Sequence, residues 1–373
     1  MDSIALGKID SNAGITKGHQ RKINGSFQKW TKFTTGTNMD LYLGNKDICQ
    51  KFEIFSGFAY RLRYNFAGKT NRNELRGRSV RSEIISISAT FRSSGHEDPI
   101  RDGGGSLSTL LTRQFQKYID EDPPPNQKAP LPLSVYNDIQ KKCKTSRSQF
   151  QIATCQLIII ALFFAMRSCE YTKTPSSEET KTKQIQVGDI KFYDKNRKVI
   201  KHNAKDIRKR ATLVAILFRS QKNREKFELV SHEKSDSHIC SVSTLIDLVQ
   251  RLWSYPGTTD ETYIDTFYCK TLDKLGHVTS KMVTEELKKA VIKVGNDNLG
   301  ISVKEVGTHS IRTSFAMLMH LNGAPDSTIK IKGRWKSDAF MKYIRGYIDM
   351  FGGNASKLIT NKMNGHFVSL LKQ

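Results

Sequence analysis

Five prolines lie within one short stretch of the chain, residues 120–132. Proline fixes φ and lacks a backbone N–H donor, so this stretch favours an extended, semi-rigid segment over a helix or a strand. A chain of 373 residues is long enough for two or three domains. We therefore predict a flexible arm over 1–22, a helical domain over 23–120, a proline-rich linker over 121–132, a second domain over 133–348 and a C-terminal tail over 349–373.

Basic residues greatly outnumber acidic ones: 60 Lys and Arg against 36 Asp and Glu give a formal net charge of +24. Such an excess favours a polyanionic partner, because each phosphate that a basic side chain contacts releases condensed counterions. The alternative is a basic surface that serves only solubility. The basic residues are spread along the chain, which indicates a broad groove or clamp as the binding surface.

The apolar and cysteine patterns argue against several other classes of protein. The longest apolar run, residues 155–166, is too short to cross a bilayer and predicts a buried core helix. The first residues lack a basic region followed by an apolar one, so we expect no secretory signal. The six cysteines contain no C-x-x-C pair, which indicates reduced thiols in an intracellular protein and argues against a structural zinc site.

Periodicity predicts a mainly helical chain with a small β-sheet, an α+β protein. Phe52, Phe55 and Ala59 recur at helical spacing in the first domain. The segments with strand character are 185–200, with a turn at 194–196, and 213–218 and 227–230, with a hairpin tip at 219–224. Further helices are predicted over 133–143, 242–253, 281–294, 309–321 and 327–332.

The last quarter of the chain brings four chemically useful groups close together in sequence. His309 and Arg312 are three residues apart on a predicted helix, a spacing that places both side chains on one face about 5–6 Å apart. Trp335 follows a charged turn, where its indole N–H can donate to an anion, and Tyr343 comes eight residues later. Each has a structural alternative, since tryptophan usually packs in a core and Tyr343 can pack a short helix. Tyr347 is the competing phenol.

Two cations earlier in the chain stand in informative places. Arg167 directly follows the apolar run, where a charge costs free energy unless it is paired or binds an anion. Glu170 can brace its guanidinium one turn later, and a purely structural pair is the alternative. Lys222 lies at the predicted hairpin tip and can reach into a groove as a proton donor, although such lysines are usually only solvated. Lys226 and Lys201 compete for this role.

Taken in chain order, these residues resemble the pattern of the tyrosine recombinase (phage integrase) family. That pattern has an arginine after an apolar helix with an acidic residue three positions later, a hairpin lysine, H-x-x-R, a histidine or tryptophan, and a nucleophilic tyrosine in a Y-I-R-like context. This chain offers Arg167 and Glu170, Lys222, His309 and Arg312, Trp335 and Tyr343. The resemblance covers about residues 133–350, and residues 218–224 and 251–253 look like the recombinases of eukaryotic mobile elements of the crypton type.

The resemblance implies a role for each residue of the set. Tyr343 would attack a DNA phosphate and form a 3′-phosphotyrosyl link, which conserves the bond energy without ATP. Arg167 and Arg312 would hold the non-bridging oxygens. Trp335 and His309 would add hydrogen bonds, with His309 also a candidate base, and the hairpin lysine would protonate the leaving 5′ oxygen. No carboxylate cluster typical of a two-metal site stands out, so we predict no metal and no other cofactor.

The resemblance also implies an architecture and an assembly. The helical and catalytic domains would form a C-shaped clamp on double-stranded DNA, and two dimers would form a tetramer that recombines or integrates a mobile element. An apolar patch in the tail would dock on a neighbouring protomer or on its own domain: Phe367, Val368, Leu370 and Leu371. A eukaryotic origin would imply the nucleus, any other the cytoplasm or nucleoid. Two alternatives stay open: a type IB topoisomerase and a non-catalytic DNA-binding protein derived from a recombinase.

Overall fold

The computed structural model describes residues 16–64, 75–124, 127–173, 182–221, 225–295 and 299–345. The side chains of Tyr343 and Arg345 lie outside this description, as do Lys222, Tyr347 and the predicted tail over 349–373. The chain divides into two compact units between Pro125 and Asn126, within the proline-rich segment. In the described ranges, no helix has the length and apolar character that crossing a membrane requires.

The described part of the first unit is helical, as predicted. It contains α1 Lys17–Gly36, α2 Ile48–Tyr64, α3 Gly77–Ser93 and α4 Thr109–Glu121. The Thr16 hydroxyl accepts a hydrogen bond from the N–H of His19 and so caps α1. Residues 17–22 are therefore helical, and the prediction of a flexible arm was wrong for them. The helices enclose an aromatic core, in which Trp30 stacks on Phe55 with ring centroids 4.4 Å apart.

Helices also dominate the described part of the second unit. They are α5 Leu133–Thr145, α6 Gln149–Phe163, α7 Ser168–Tyr171, α8 Ile207–Arg210, α9 Ser241–Trp253, α10 Ser280–Val294, α11 Thr308–Leu321, α12 Asp326–Lys332 and α13 Met341–Arg345. Helix α6 is apolar on every side and residues 153–162 are all buried, which confirms the predicted core helix. Helices α5, α9, α10 and α11 pack against it, so α6 forms the centre of the unit.

Four antiparallel strands form the main sheet of the second unit, in the order β2-β1-β3-β4. They are β1 Ile190–Tyr193, β2 Val199–Ile200, β3 Leu213–Ser220 and β4 Lys226–Glu233. Both predicted hairpins are confirmed, and in the second one Ser220 pairs with Lys226. A two-stranded sheet of β5 Thr266–Cys269 and β6 Lys274–His277 was not predicted. Its strands are too short to show a clear alternation, and Asp273 turns between them at φ 45°.

Part of the predicted linker belongs to the second unit. The N–H of Ala129 donates to the carbonyl of Glu305 at 3.0 Å, and the N–H of Leu131 donates to Ser314 Oγ at 2.7 Å. Ala129 and Leu131 are also buried. The N–H groups that alternate with prolines thus find acceptors in the domain that follows, and they fix residues 129–131 to it.

Candidate active site

The candidate site begins at the C-terminal end of the core helix α6. The helix stops at Phe163, earlier than the predicted end near Met166, because Ala165 adopts the left-handed conformation with φ 44°. The N–H of Ala165 donates to the carbonyl of Leu162 at 3.2 Å, and the N–H of Met166 donates to that of Ala161 at 3.0 Å. This is a Schellman turn, and it leads the chain directly into Arg167.

Helix α12 ends in a turn of the same kind. Arg334 has φ 57°, and its N–H donates to the carbonyl of Ile331 at 3.0 Å. The N–H of Trp335 donates to Lys330 at 3.0 Å. A Cβ added to Gly333 would lie 1.6 Å from Cζ3 of Trp335, so the glycine is what allows the indole ring to fold back over the turn.

Two buried arginines connect these helix ends. Arg334 donates to the carbonyls of Phe164 at 3.0 Å and Ala165 at 3.3 Å. Arg312 donates through Nη1 to the carbonyl of Ala165 and through Nη2 to that of Gly333 at 2.6 Å. The carbonyls at a helix C-terminus carry partial negative charge and attract guanidinium groups. The two turns therefore hold two cations in a protein interior.

A buried glutamate lies among these arginines. Both oxygens of Glu170 accept hydrogen bonds from Arg334, at 3.3 Å and 3.0 Å. The backbone N–H of Arg167 donates to Glu170 at 2.9 Å and its Nη1 at 3.1 Å. Burial opposes ionisation of Glu170, but the charges of Arg334, Arg167 and Arg312 outweigh it and hold the pKa of the carboxyl below its usual range. In the part of the chain that the structure describes, the cluster therefore contains three guanidinium groups and one carboxylate, with a net positive charge.

The H-x-x-R pair lies on the first two turns of α11, and Arg312 is the member of the pair that belongs to the buried cluster. Arg312 is buried, whereas the imidazole of His309 is exposed. Partial loss of hydration, with Arg312 and Arg167 nearby, lowers the pKa of His309 from its usual value. A neutral imidazole near two arginines can accept a proton at neutral pH.

Trp335 covers one face of this arrangement. The guanidinium carbon of Arg312 lies 4.3 Å from the centroid of the indole ring. Phe315 and Phe340 flank the ring at centroid distances of 6.2 Å and 5.7 Å. A cation held against an aromatic face keeps its charge while losing water, so the indole both fixes Arg312 and limits access of solvent.

The base of the β3–β4 hairpin is attached to the same cluster. Gln221 is buried, accepts a hydrogen bond from Arg334 at 3.0 Å and donates to the carboxylate of Glu228. Its backbone N–H donates to the carbonyl of Glu225 at 3.0 Å. Lys222 follows Gln221 in the sequence but lies outside the described residues. The competing lysines, Lys226 and Lys201, are exposed on strand and loop.

Helix α13 carries the predicted nucleophile. Its backbone packs against α11, the helix of His309 and Arg312. Ile344, the neighbour of Tyr343, is buried and belongs to the core of the unit. The backbone of Tyr343 therefore lies in a helix that docks beside the cluster, although the side chain is outside the described residues.

The structure thus brings together Arg167, Glu170, Arg312 and Trp335, with His309 at the margin. Sequence reasoning missed Arg334 and Gln221, which contribute the other buried contacts. Arg334 lies between Gly333 and Trp335, in the charged turn that precedes the tryptophan, but its partners are far away in sequence. Within the described ranges, no group of three His, Cys, Asp or Glu side chains is placed to hold a metal ion.

Comparisons with known proteins agree with this arrangement at the level of the fold. No family model matches the sequence, and no curated protein matches it either. Among solved structures, the Tn1549 transposon integrase in complex with transposon right-end DNA aligns with a TM-score of 0.50 at 11% identity, over 93% of this chain and 98% of that one. A lambda integrase dimer bound to a core site aligns at 0.47 and 14%, over 91% and 92%. XerH recombinase bound to a palindromic difH substrate aligns at 0.46 and 15%, over 83% and 72%.

The alignment with the Tn1549 integrase establishes the fold of the chain. It is an α+β protein with small antiparallel sheets, and it has the tyrosine recombinase fold, as predicted. The match to the Tn1549 integrase extends over nearly the full length of both chains. The fold alone does not assign chemistry to a side chain, so function has to be argued from the site.

Proposed function

We propose that this chain is a site-specific DNA recombinase that cleaves and rejoins DNA through a 3′-phosphotyrosyl intermediate. One observation carries the proposal: Arg167, Arg312 and Arg334 gather around one carboxylate at the end of an apolar helix. Buried cations in excess of their counter-charges cost free energy, and a bound phosphate offsets that cost. Guanidinium forks also match the oxygens of a phosphodiester.

The proposed polyanion is double-stranded DNA. The formal net charge of +24 favours a long phosphate backbone over a small phosphate ester. The Tn1549 transposon integrase, which has the same fold, is known in complex with transposon DNA. A recombinase that works on the ends of a mobile element is therefore the specific form of the proposal.

In the proposed reaction the phenol oxygen of Tyr343 attacks a phosphorus atom of the DNA. The Tyr343 O–P bond forms, the P–O5′ bond breaks, and His309 accepts the phenol proton. Lys222 gives a proton to the departing 5′ oxygen, which leaves as a hydroxyl. Arg167 and Arg312 hold the non-bridging oxygens, where charge grows in the transition state. Attack by the 5′ hydroxyl of a second strand reverses these steps and joins new partners.

We further propose that the reaction requires an assembly of several copies and neither ATP nor a divalent cation. Exchange of strands between two duplexes needs a dimer on each site and a tetramer in synapsis, because each copy supplies one nucleophile. We also propose that the chain comes from a crypton-type mobile element and acts in the nucleus. This part of the proposal follows from the sequence resemblance.

The decisive experiment uses a nicked suicide substrate that carries the cognate site. Cleavage next to the nick releases a short fragment, so the covalent product cannot religate and accumulates as an adduct resistant to denaturation. We expect the unaltered protein to form the adduct in EDTA as well as in Mg²⁺. Tyr343→Phe should form none, and Tyr347→Phe, the matched control, should form it at the normal rate.

Three other results would redirect the proposal. An adduct from Tyr343→Phe would assign the nucleophile elsewhere, and loss of the adduct in EDTA would contradict the metal-free mechanism. Relaxation of supercoiled DNA without exchange between duplexes would favour a type IB topoisomerase. Tight DNA binding without any adduct would favour a non-catalytic DNA-binding protein.

A further inference from the structure

Arg334 occupies a backbone position that ordinarily favours glycine. It is the residue after the cap of α12, in the left-handed region with φ 57°. For a residue with a Cβ this conformation is strained. Its side chain is nevertheless buried, with 3% of the residue exposed. An unfavourable backbone at a buried charged residue indicates that the position of the guanidinium matters.

The guanidinium of Arg334 is the point where three segments meet. It donates to the carbonyls of Phe164 and Ala165 at the end of α6, and to both oxygens of Glu170. It also donates through Nη1 to Gln221 at 3.0 Å, and its carbon lies 3.5 Å from the ring centroid of Phe218. Its contacts therefore fix two segments relative to each other: residues 164–170, which contain Arg167 and are called the arginine turn below, and the hairpin base at Phe218 and Gln221.

Arg334 also determines how Arg167 is bound. Because Arg334 faces both oxygens of Glu170, the guanidinium of Arg167 contacts that carboxylate through Nη1 alone among the described residues. The side chain of Arg167 is 23% exposed. Its other N–H groups are thus available to an anion that approaches from solvent, whereas a two-pronged pair with Glu170 would engage them.

Gln221 links Arg334 to the β3–β4 hairpin by hydrogen bonds. The amide accepts from Arg334 with its oxygen and donates to Glu228 with its nitrogen. The backbone of the same residue closes the base of the loop by donating to Glu225. The amide is fully buried, so these contacts are shielded from water and hold one geometry.

We infer that Arg334 is a positioning residue for the proposed reaction: it aligns the β3–β4 hairpin with the arginine turn through Gln221 and Glu170. The inference rests on the proposed function, in which the hairpin supplies the proton for the leaving 5′ oxygen. Arg334 does not touch the reacting atoms. Its loss should impair the leaving-group step in particular, because that step depends on where the hairpin lies.

The test compares two suicide substrates that differ in one atom. In one, the scissile bond has the natural 5′ oxygen; in the other, a 5′ sulfur. A thiol has a pKa of about 8.5, so a thiolate departs without a proton donor, whereas an alkoxide requires one. A defect in the alignment of the proton donor slows cleavage of the oxygen substrate and is relieved by sulfur. A general defect in folding or DNA binding slows both substrates equally.

Gln221→Leu keeps the shape of the side chain and removes its link to Arg334. We expect adduct formation on the oxygen substrate to slow about 100-fold, the scale of general-acid catalysis. On the sulfur substrate the rate should stay within about threefold of the unaltered protein. Arg334→Lys keeps the charge, but one ammonium cannot replace the planar fork toward Glu170 and Gln221. Because Arg167 is then also held differently, this variant should slow both substrates, but the oxygen substrate about tenfold more than the sulfur substrate. That difference keeps the test valid if the leucine variant fails to fold.

Equal slowing of both substrates in the folded variants would overturn the inference, and so would normal rates on both. Tyr343→Phe is the reference for complete loss, because it should yield no adduct from either substrate. If the unaltered protein forms no adduct with either substrate, the proposed function itself fails. That outcome is distinct from equal slowing in the variants alone.

Discussion

The two units of this protein each bury an arginine against a carboxylate, with different surroundings. In the first unit Arg63 donates to Asp122 at 2.5 Å and to the carbonyl of Leu75 at 2.8 Å. The other oxygen of Asp122 accepts from the N–H of Gly77 at 2.8 Å. This pair joins the end of α2, the start of α3 and the end of α4, and among the described residues one arginine faces one carboxylate here.

In the second unit Glu170 faces Arg334 and Arg167, with Arg312 close to both. Among the described residues, three cations thus share one carboxylate, and the surplus of positive charge lies where Arg167 meets solvent. A buried ion pair by itself therefore indicates a structural link. A buried excess of cations indicates a place prepared for an anion.

The largest contrast is expected when each carboxylate is neutralised. Glu170→Gln should lower the rate of adduct formation about 100-fold or more and destabilise the second unit by about 3 kcal/mol, because buried arginines lose their counter-charge. Asp122→Asn should destabilise the first unit by a similar amount but change the rate per folded molecule by less than about threefold. Urea unfolding and suicide-substrate kinetics measure the two effects. Equal losses of rate in the two variants would contradict the distinction between a structural ion pair and a site for an anion.

The next contrast concerns the histidines of the two units. Partial burial first, then Arg312 and Arg167, lower the pKa of His309, so as a base it should stay active to a lower pH than an ordinary histidine. His309→Gln should slow adduct formation about 100-fold and remove the acidic limb of the pH–rate profile. His96 of the first unit stacks on Tyr42, with ring centroids 3.8 Å apart, and provides the control. His96→Gln should keep the limb, and a limb that persists in His309→Gln would exclude that residue as the base.

A smaller contrast is expected at two glycines that leave no room for a Cβ. A Cβ on Gly333 would displace the ring of Trp335 from Arg312, whereas a Cβ on Gly77 would lie 2.7 Å from backbone atoms of Tyr118 and Ile119. Gly333→Ala should slow adduct formation about tenfold at a stability cost of about 1–2 kcal/mol. Gly77→Ala should reduce stability by a similar or larger amount with little change in rate. A normal rate in Gly333→Ala together with a slowed rate in Gly77→Ala would show that Trp335 has no role in the site.

The smallest contrast is in acid stability. His232 on β4 is partly buried against Phe164, and burial first, then Lys332, lower its pKa to about 4. An unfolded histidine has a pKa of about 6.5, so the unfolded state binds more protons between these values and stability falls as pH drops from 6.5 toward 4. The loss should reach about 3 kcal/mol at most.

His232→Leu should remove this dependence, which urea unfolding at pH 7 and pH 4.5 measures. Glu170 acts in a lower window, because its stabilising charge is lost only as the pH falls through its depressed pKa. A dependence that survives in the leucine variant would assign the acid sensitivity to other groups.

Much of the second unit could be predicted from its sequence, because local patterns determine it. The apolar run predicted the core helix, and two β-rich segments predicted the hairpin of β3 and β4. The sequence also indicated the pairing of Arg167 with Glu170, since the two residues are one helical turn apart.

The rest of the site depends on contacts between distant parts of the chain. Arg334 lies 164 residues from Glu170 and 113 from Gln221, so no local pattern reveals that it, and not Arg167, faces both oxygens of the carboxylate. The end of α6 was misplaced because Ala165, not glycine, takes the left-handed position. The flexible arm was predicted to extend to residue 22, but the helix begins at Lys17. Thr16, which caps this helix, looks like an ordinary polar residue in the sequence.

The central claim is that Tyr343, on the helix docked beside the cationic cluster, becomes covalently linked to DNA. The most direct measurement is mass spectrometry of the purified adduct after nuclease and trypsin digestion. Trypsin separates the two candidate phenols, since Tyr343 falls in residues 343–345 and Tyr347 in residues 346–357. The account predicts a phosphonucleotide on the peptide 343–345. A phosphonucleotide on residues 346–357, or on any other peptide, would contradict it.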